Sequence, residues 1–329
     1  MKLAIAGAGM IVHDLLSFIH DIPGVELAAI ASTPRSLEKV QNLAAEHDIP
    51  HAWPDYDTLL ADETADTVYV ASPNHLHYEM VKKALEHGKN VICEKPFTSN
   101  DAELKELVAL AAKKDVMLLE AISTQYLPNT LKIKELLERI GNVRIVVANY
   151  SQYSSRYNAF KEGVILPAFD VNKSGGALMD LNIYNIHLMV ALFGAPQSVS
   201  YAANVEKGID TSGIISLDYG SFEAVLIGAK DCKAPIVTTI QGDKGCIVIN
   251  APANQLPSFT LILNDGTTEE FNLQNGRHRM AFEFENFVQI LADHDKAREA
   301  EMLEKSLTAM EIATQARKSG GIIFPADNR

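Results

Sequence analysis

Cysteine is scarce and badly spaced for a structural task. Cys93, Cys232 and Cys246 are the only three, with no CxxC pair and no histidines at zinc spacing, so neither a disulfide framework nor a structural metal is indicated. A reducing cytoplasm is the expected compartment. A basic block is missing too. With 42 Asp and Glu against 29 Lys and Arg, the net charge of −13 argues against nucleic acid or an anionic membrane as the main partner. No run of about twenty uninterrupted apolar residues occurs, which is the length a membrane-spanning helix needs. The opening "MKLAIAGAGM" has the apolar run of a short signal peptide, but its glycines make it read better as a buried strand entering a turn. Tryptophan occurs once, at Trp53, and is expected to pack at a loop.

What is present is enough apolar residue, 47%, and ordinary charge, 22%, for a globular chain of 329 residues. That length exceeds what one hydrophobic core usually fills, so two domains with a cleft between them are expected. Up to about residue 120, short apolar runs (2–7, 25–32, 66–72, 89–94, 115–121) alternate with amphipathic segments such as "HLHYEMVKKALEHG" and "DAELKELVALAAKK". Strands buried on both faces and separated by helices make a doubly wound parallel sheet of βαβ units. After about residue 142, strand-like runs punctuated by turn residues, among them a hairpin signal at Asp265-Gly266, predict a mostly antiparallel sheet. Helices are expected near 175–193 and 298–318. The predicted fold is α/β, with a Rossmann-type nucleotide-binding domain over 1–121 and an α+β domain over 122–329, its last helix returning toward the first domain.

Gly7-Ala8-Gly9-Met10-Ile11-Val12 directly follows the first strand and opens a helix, as a dinucleotide fingerprint requires. Gly7 allows the tight turn; Gly9 lets backbone approach a pyrophosphate. Val12 stands where Gly or Ala is usual. At the end of the second strand, Ser32, Thr33 and Arg35 take the place of the carboxylate that would hold the ribose of NAD, which favours NADP(H) while leaving NAD(H) open. Lys95 ends the strand 89–94 on the ligand-binding edge, beside Glu94, and Pro96 restricts its backbone.

The "GAGMI" loop, the stretch "ASPNHLHYEMVKKALEHGKNVICEKP" and "SGGALMDLNIYNIHLMVALFG" together resemble the glucose–fructose oxidoreductase / inositol dehydrogenase family of NAD(P)-dependent enzymes. The resemblance spans nearly the whole chain. It implies that Lys95 is catalytic and touches the nicotinamide end of the cofactor. It also implies that Ser72, Pro73, Asn74 and His77 flank the cofactor with Glu94, and that Gly175, Gly176, Leu178, Asp180 and Tyr184 form the second-domain signature. A spacing of four places Asp180 and Tyr184 on one helix face. Tyrosine at 184 points toward the glucose–fructose oxidoreductase and dimeric dihydrodiol dehydrogenase branch. His187 and Tyr157 are substrate candidates, the latter in a loop (154–170) expected to select the substrate. Asn182, where the family usually has glycine, and Gln125, where relatives often have arginine, depart from the pattern.

The expected activity is reversible hydride transfer between the nicotinamide and a secondary alcohol or ketone of a sugar, polyol or cyclic diol. Tyr184 or Lys95 carries the proton and Asp180 orients. No metal is expected. A nucleotide-sensing regulator without catalysis and an NAD-dependent glycosidase are the alternatives. Association as a homodimer, or a dimer of dimers, through the uncovered face of the second sheet is anticipated.

Overall fold

β1 (Lys2–Ala6) is buried along all but its first residue, the condition of a strand covered on both faces. In the computed structural model, which describes residues 1–329, it lies inside a six-stranded parallel sheet with β2 (Glu26–Ala31), β3 (His51–Trp53), β4 (Thr67–Val70), β5 (Asn90–Glu94) and β6 (Leu118–Ala121). The order is β3-β2-β1-β4-β5-β6, reversing beside β1, so the β1 and β4 carboxyl ends flank the switch point where such sheets hold ligands. The intervening helices are α1 (Met10–Leu16), α2 (Leu37–Glu46), α3 (Tyr56–Ala61), α4 (His77–Glu86) and α5 (Asp101–Lys114). α5 shows why its boundaries fall where they do. The Asn100 side chain accepts from the Glu103 amide at 2.9 Å, the Glu103 carboxylate accepts from the Ser99 amide at 3.0 Å, and Lys113 and Lys114 complement the carboxyl end.

The second sheet has eight strands: β7 (Val143–Ser151), β8 (Ser198–Glu206), β9 (Ile209–Asp218), β10 (Glu223–Ala229), β11 (Thr238–Gly242), β12 (Gly245–Ile249), β13 (Phe259–Leu263) and β14 (Thr268–Phe271). Their order is β14-β13-β12-β11-β7-β10-β9-β8, and every pairing is antiparallel except β7 with β10. The expected turn at Asp265-Gly266 closes the β13–β14 hairpin, with Gly266 at φ +94°. On one face of this sheet Ile145, Ile214 and Ile262 stay exposed. The other helices are α6 (Pro128–Leu136), α7 (Tyr157–Lys161), α8 (Ile183–Phe193), α9 (Arg279–Ala292) and α10 (Lys296–Ser319). The segment 171–193 is apolar and long enough by composition to cross a membrane, and here it is mostly enclosed by protein, forming core.

The chain divides into two compact units. Unit 1 comprises Met1–Ala121 and Met280–Ser306; unit 2 comprises Ile122–Arg279 and Leu307–Arg329. α9 therefore belongs with the parallel sheet, where Phe284 packs edge-on against Phe18 and Tyr69. Neither α9 nor α6 is anticipated from sequence. α9 is rich in phenylalanine, a middling helix former, though Met280, Phe284, Phe287 and Ile290 trace one helical face.

Arg317 is one of two cations in the last turn of α10, where positive charge complements the helix end, and its side chain turns inward. Its guanidinium is almost fully buried, forks onto Asp327 at 2.5 and 2.7 Å, and lies 4.0 Å from the centroid of the Phe324 ring. Removing one member of a buried pair strands the other charge. Arg317→Met is expected to lower the unfolding free energy by about 3–5 kcal/mol in chemical denaturation; a loss below about 1 kcal/mol contradicts this reading of the C-terminal anchor.

Candidate active site

In unit 1, the Gly7 amide donates to the Ala31 carbonyl at 2.8 Å, tying the loop to the end of β2. Gly7 lies at φ +145°, and a Cβ there would stand 2.3 Å from the Ala71 carbonyl oxygen. Gly9 caps α1 with no heavy atom within 4 Å of its would-be Cβ, so there is open space on that side of the loop just before Met10 and Ile11. Val12, at the position where a small residue is usual, is fully buried and accommodated. At the end of β2, the Thr33 hydroxyl meets that of Ser36 at 3.2 Å, Ser32 is half-buried and Arg35 is exposed. No motif singles out Lys39. It lies four residues beyond Arg35, and its ammonium donates to the Ala8 carbonyl at 2.5 Å, placing a positive charge beside the glycine loop.

After β4, the Ser72 hydroxyl oxygen is buried with no partner in the protein, while Pro73 is exposed and Asn74 opens the turn into α4. His77 is fully enclosed, its ring nitrogens 2.9 Å from the Pro96 and Ser72 carbonyls. Burial holds its pKa below the ordinary imidazole value, against the raising effect of those contacts. It links the segment after β4 to the segment after β5. Glu94 is buried, accepting from the Tyr69 hydroxyl at 2.5 Å and from the Lys95 amide at 3.3 Å. Lys95 itself is half-buried at the strand end, and its bond to Pro96 is cis.

In unit 2, the paired glycines let the chain approach two neighbours. A Cβ on Gly175 would meet the Pro167 carbonyl at 2.6 Å, and one on Gly176, at φ +103°, would meet Asp210 Oδ1 at 2.0 Å. Asp210 accepts from the Leu178 amide at 2.7 Å and the Tyr201 hydroxyl at 2.8 Å, and burial pushes its pKa up to about 6. The backbone then makes a π-type turn over Leu178–Asn182 before entering α8, a geometry often found at functional sites. Asp180 lies in that turn and Tyr184 in the first turn of α8, buried beside Tyr150. Asn182 fits because its partner strand is relieved: Gly228 leaves room for its Cβ, and its amide donates to the Leu226 carbonyl at 3.1 Å.

The substrate candidates occupy enclosed places. His187 is fully buried in α8, where Gln125 donates to its carbonyl at 3.1 Å, so Gln125 is engaged with a helix. The Tyr157 hydroxyl donates to Glu206 at 2.6 Å, which together with burial pushes its pKa up to about 12. Its ring packs among Tyr153, Phe160 and Phe169.

A nicotinamide dinucleotide fits the residues of unit 1. A glycine loop with open space beside Gly9, a buried hydroxyl without a protein partner and two cations near the β2 end are the features an anionic nucleotide needs. Fold and site thus define a dinucleotide-dependent oxidoreductase with a second, sheet-based domain. The chain belongs to the GFO/IDH/MocA family: residues 1–122 match the "oxidoreductase family, NAD-binding Rossmann fold" and residues 130–248 match the "GFO/IDH/MocA C-terminal domain". It is 39% identical to scyllo-inositol 2-dehydrogenase (NADP(+)) IolU of Bacillus subtilis, over 99% of each chain. It is 31% identical to trans-1,2-dihydrobenzene-1,2-diol dehydrogenase of Xenopus laevis, over 98% of this chain and 99% of that one. The 3-ketoreductase KijD10 of Actinomadura kijaniata, crystallised with NADP and TDP-benzene, superposes with a TM-score of 0.84 at 22% identity over 97% of each chain, a likeness of fold.

Proposed function

We propose that the protein is an NADP(H)-dependent dehydrogenase for a trans-vicinal diol on a six-membered ring. The observation that carries this reading is full-length similarity to two enzymes whose named substrates, scyllo-inositol and trans-1,2-dihydrobenzene-1,2-diol, share that arrangement of hydroxyls. Retention of Lys95, Asp180 and Tyr184 together supports a catalyst over a sensor. When bound, the nicotinamide exchanges hydride with the substrate carbon. Tyr184 takes the hydroxyl proton, the Lys95 ammonium stabilises negative charge on the oxygen, and Asp180 accepts from a neighbouring hydroxyl. The uncovered sheet face around Ile145, Ile214 and Ile262 supports homodimerisation, which a sedimentation mass checks.

The test is a screen of inositols and cyclic trans-diols with NADP+ and NAD+, followed at the nicotinamide absorbance. Reduction of NADP+ by trans-diols is expected. Sugar release without net cofactor turnover would instead make the protein a glycosidase, and binding without any chemistry would make it a sensor. Cofactor choice rests on Arg35 and Lys39. Arg35→Ala and Lys39→Ala should each raise the NADPH dissociation constant about tenfold, one charge-assisted contact's worth, and leave that of NADH unchanged in fluorescence titration. Equal weakening of both cofactors contradicts a role at the 2′-phosphate.

A further inference from the structure

Lys230 follows β10 in unit 2 and is 2% exposed. Its ammonium donates to Asp180 Oδ2 at 2.6 Å and to the Ala168 carbonyl at 2.7 Å, and lies 4.4 Å from the centroid of the Phe169 ring. Burying an ammonium costs several kcal/mol even after relaxation, and these three contacts offset it. The pair is lopsided. The Lys230 side chain is enclosed, whereas that of Asp180 is 36% exposed. A tie serving only to join β10 to the preceding turn gains nothing from leaving its carboxylate partly exposed, because a buried ion pair is often no more stabilising than apolar packing. The arrangement instead holds a partly exposed carboxylate from its enclosed side.

The surroundings support this division of labour. Asp180 lies in the π-type turn, which is fixed from its other side by Asp210 through the Leu178 amide. Asp210 is itself held by Tyr201 of β8 and is separate from the Lys230 hydrogen bonds. Asp231, next in sequence, accepts from the Thr211 and Ser212 hydroxyls of β9 at 2.7 and 2.8 Å, and Glu206 accepts from Tyr157. Each nearby acid thus has donors other than Lys230, whose short hydrogen bond to a carboxylate goes to Asp180.

We propose that Lys230 is a positioning residue, which keeps Asp180 ionised and in place as the acceptor for a substrate hydroxyl. Lys230 touches no reacting atom; it acts through Asp180. This rests on the diol dehydrogenase reading above. Wild-type turnover tests that reading, and only the variants test Lys230, so the two failures are distinguishable.

The experiment compares wild type, Lys230→Met, Asp180→Asn and the double variant, with NADPH affinity and melting temperature as controls. For Lys230→Met, kcat/KM is expected to fall about 100-fold, the cost of a misplaced group. The acid limb of its pH profile should move up by about one unit or more, because an opposite charge at this range favours the ionised carboxylate by that much. NADPH affinity should not change. In the Asp180→Asn background, adding Lys230→Met should cost less than about threefold further, the non-additivity of residues acting as one. That comparison stands even where Lys230→Met alone is too unstable to purify, since removing both charges together is tolerated better than removing one. An unmoved acid limb in Lys230→Met, or a multiplicative loss in the double variant, would make Lys230 a packing residue and overturn the proposal.

Discussion

Replacing Lys95 with methionine is expected to lower kcat/KM by about 10³-fold, while the NADPH dissociation constant stays within about threefold of wild type. Methionine keeps most of the lysine's length and apolar stem and removes only the charge. The side chain is half-buried, so its loss creates no large cavity and the melting temperature should hold. The backbone around it is secured independently: Glu94 is held by the Tyr69 hydroxyl, and His77 spans from Ser72 to Pro96. A drop in rate with intact cofactor binding therefore reports the ammonium itself. Steady-state kinetics beside fluorescence titration make the measurement. Near-normal turnover would remove Lys95 from the reaction, and a parallel loss of NADPH affinity would assign it to cofactor binding.

Much of this architecture is legible in the residues because local and global signals agree. The parallel sheet is written in apolar runs too short for helices, and the pairing registers of β1, β4, β5 and β6 follow those runs to within a few residues. The hairpin at Asp265-Gly266 is visible because a left-handed turn leaves few residue choices. What stays hidden is settled by tertiary contact. The phenylalanines of α9 suit a strand as well as a helix until the surface of unit 1 is there to receive them. Lys230 looks like any lysine after a strand, because nothing local reveals that Asp180, fifty residues earlier, faces it. Asn182 reads as a misfit until Gly228 is seen across from it. Lys39 has one legible signal, a spacing of four from Arg35 across the turn that leads into α2.

The two glycines of the nucleotide loop are expected to fail in different ways when each becomes alanine. At Gly7 the obstacle is backbone. The new methyl would stand 2.3 Å from the Ala71 carbonyl oxygen, and Ala71 cannot retreat, because its amide donates to Ala6 at 2.9 Å in register with the β1–β4 pairing. The φ of +145° adds strain that no alanine relieves. Overpacking and backbone strain together predict a loss of about 2–5 kcal/mol in unfolding free energy, with NADPH binding lost because the loop must leave the strand ends. At Gly9 the situation is reversed: φ is −81°, an ordinary value, and nothing lies within 4 Å of the added carbon. Gly9→Ala should thus keep its stability within about 1 kcal/mol of wild type. Its cost should appear only in nucleotide affinity, weakened about tenfold or more as the methyl holds a pyrophosphate off the amides at the start of α1. Denaturant melts and NADPH titrations on both variants separate the two effects. Equal stability in the two proteins would contradict the close approach of Gly7 to β4, and unchanged affinity in Gly9→Ala would mean that the phosphates bind elsewhere.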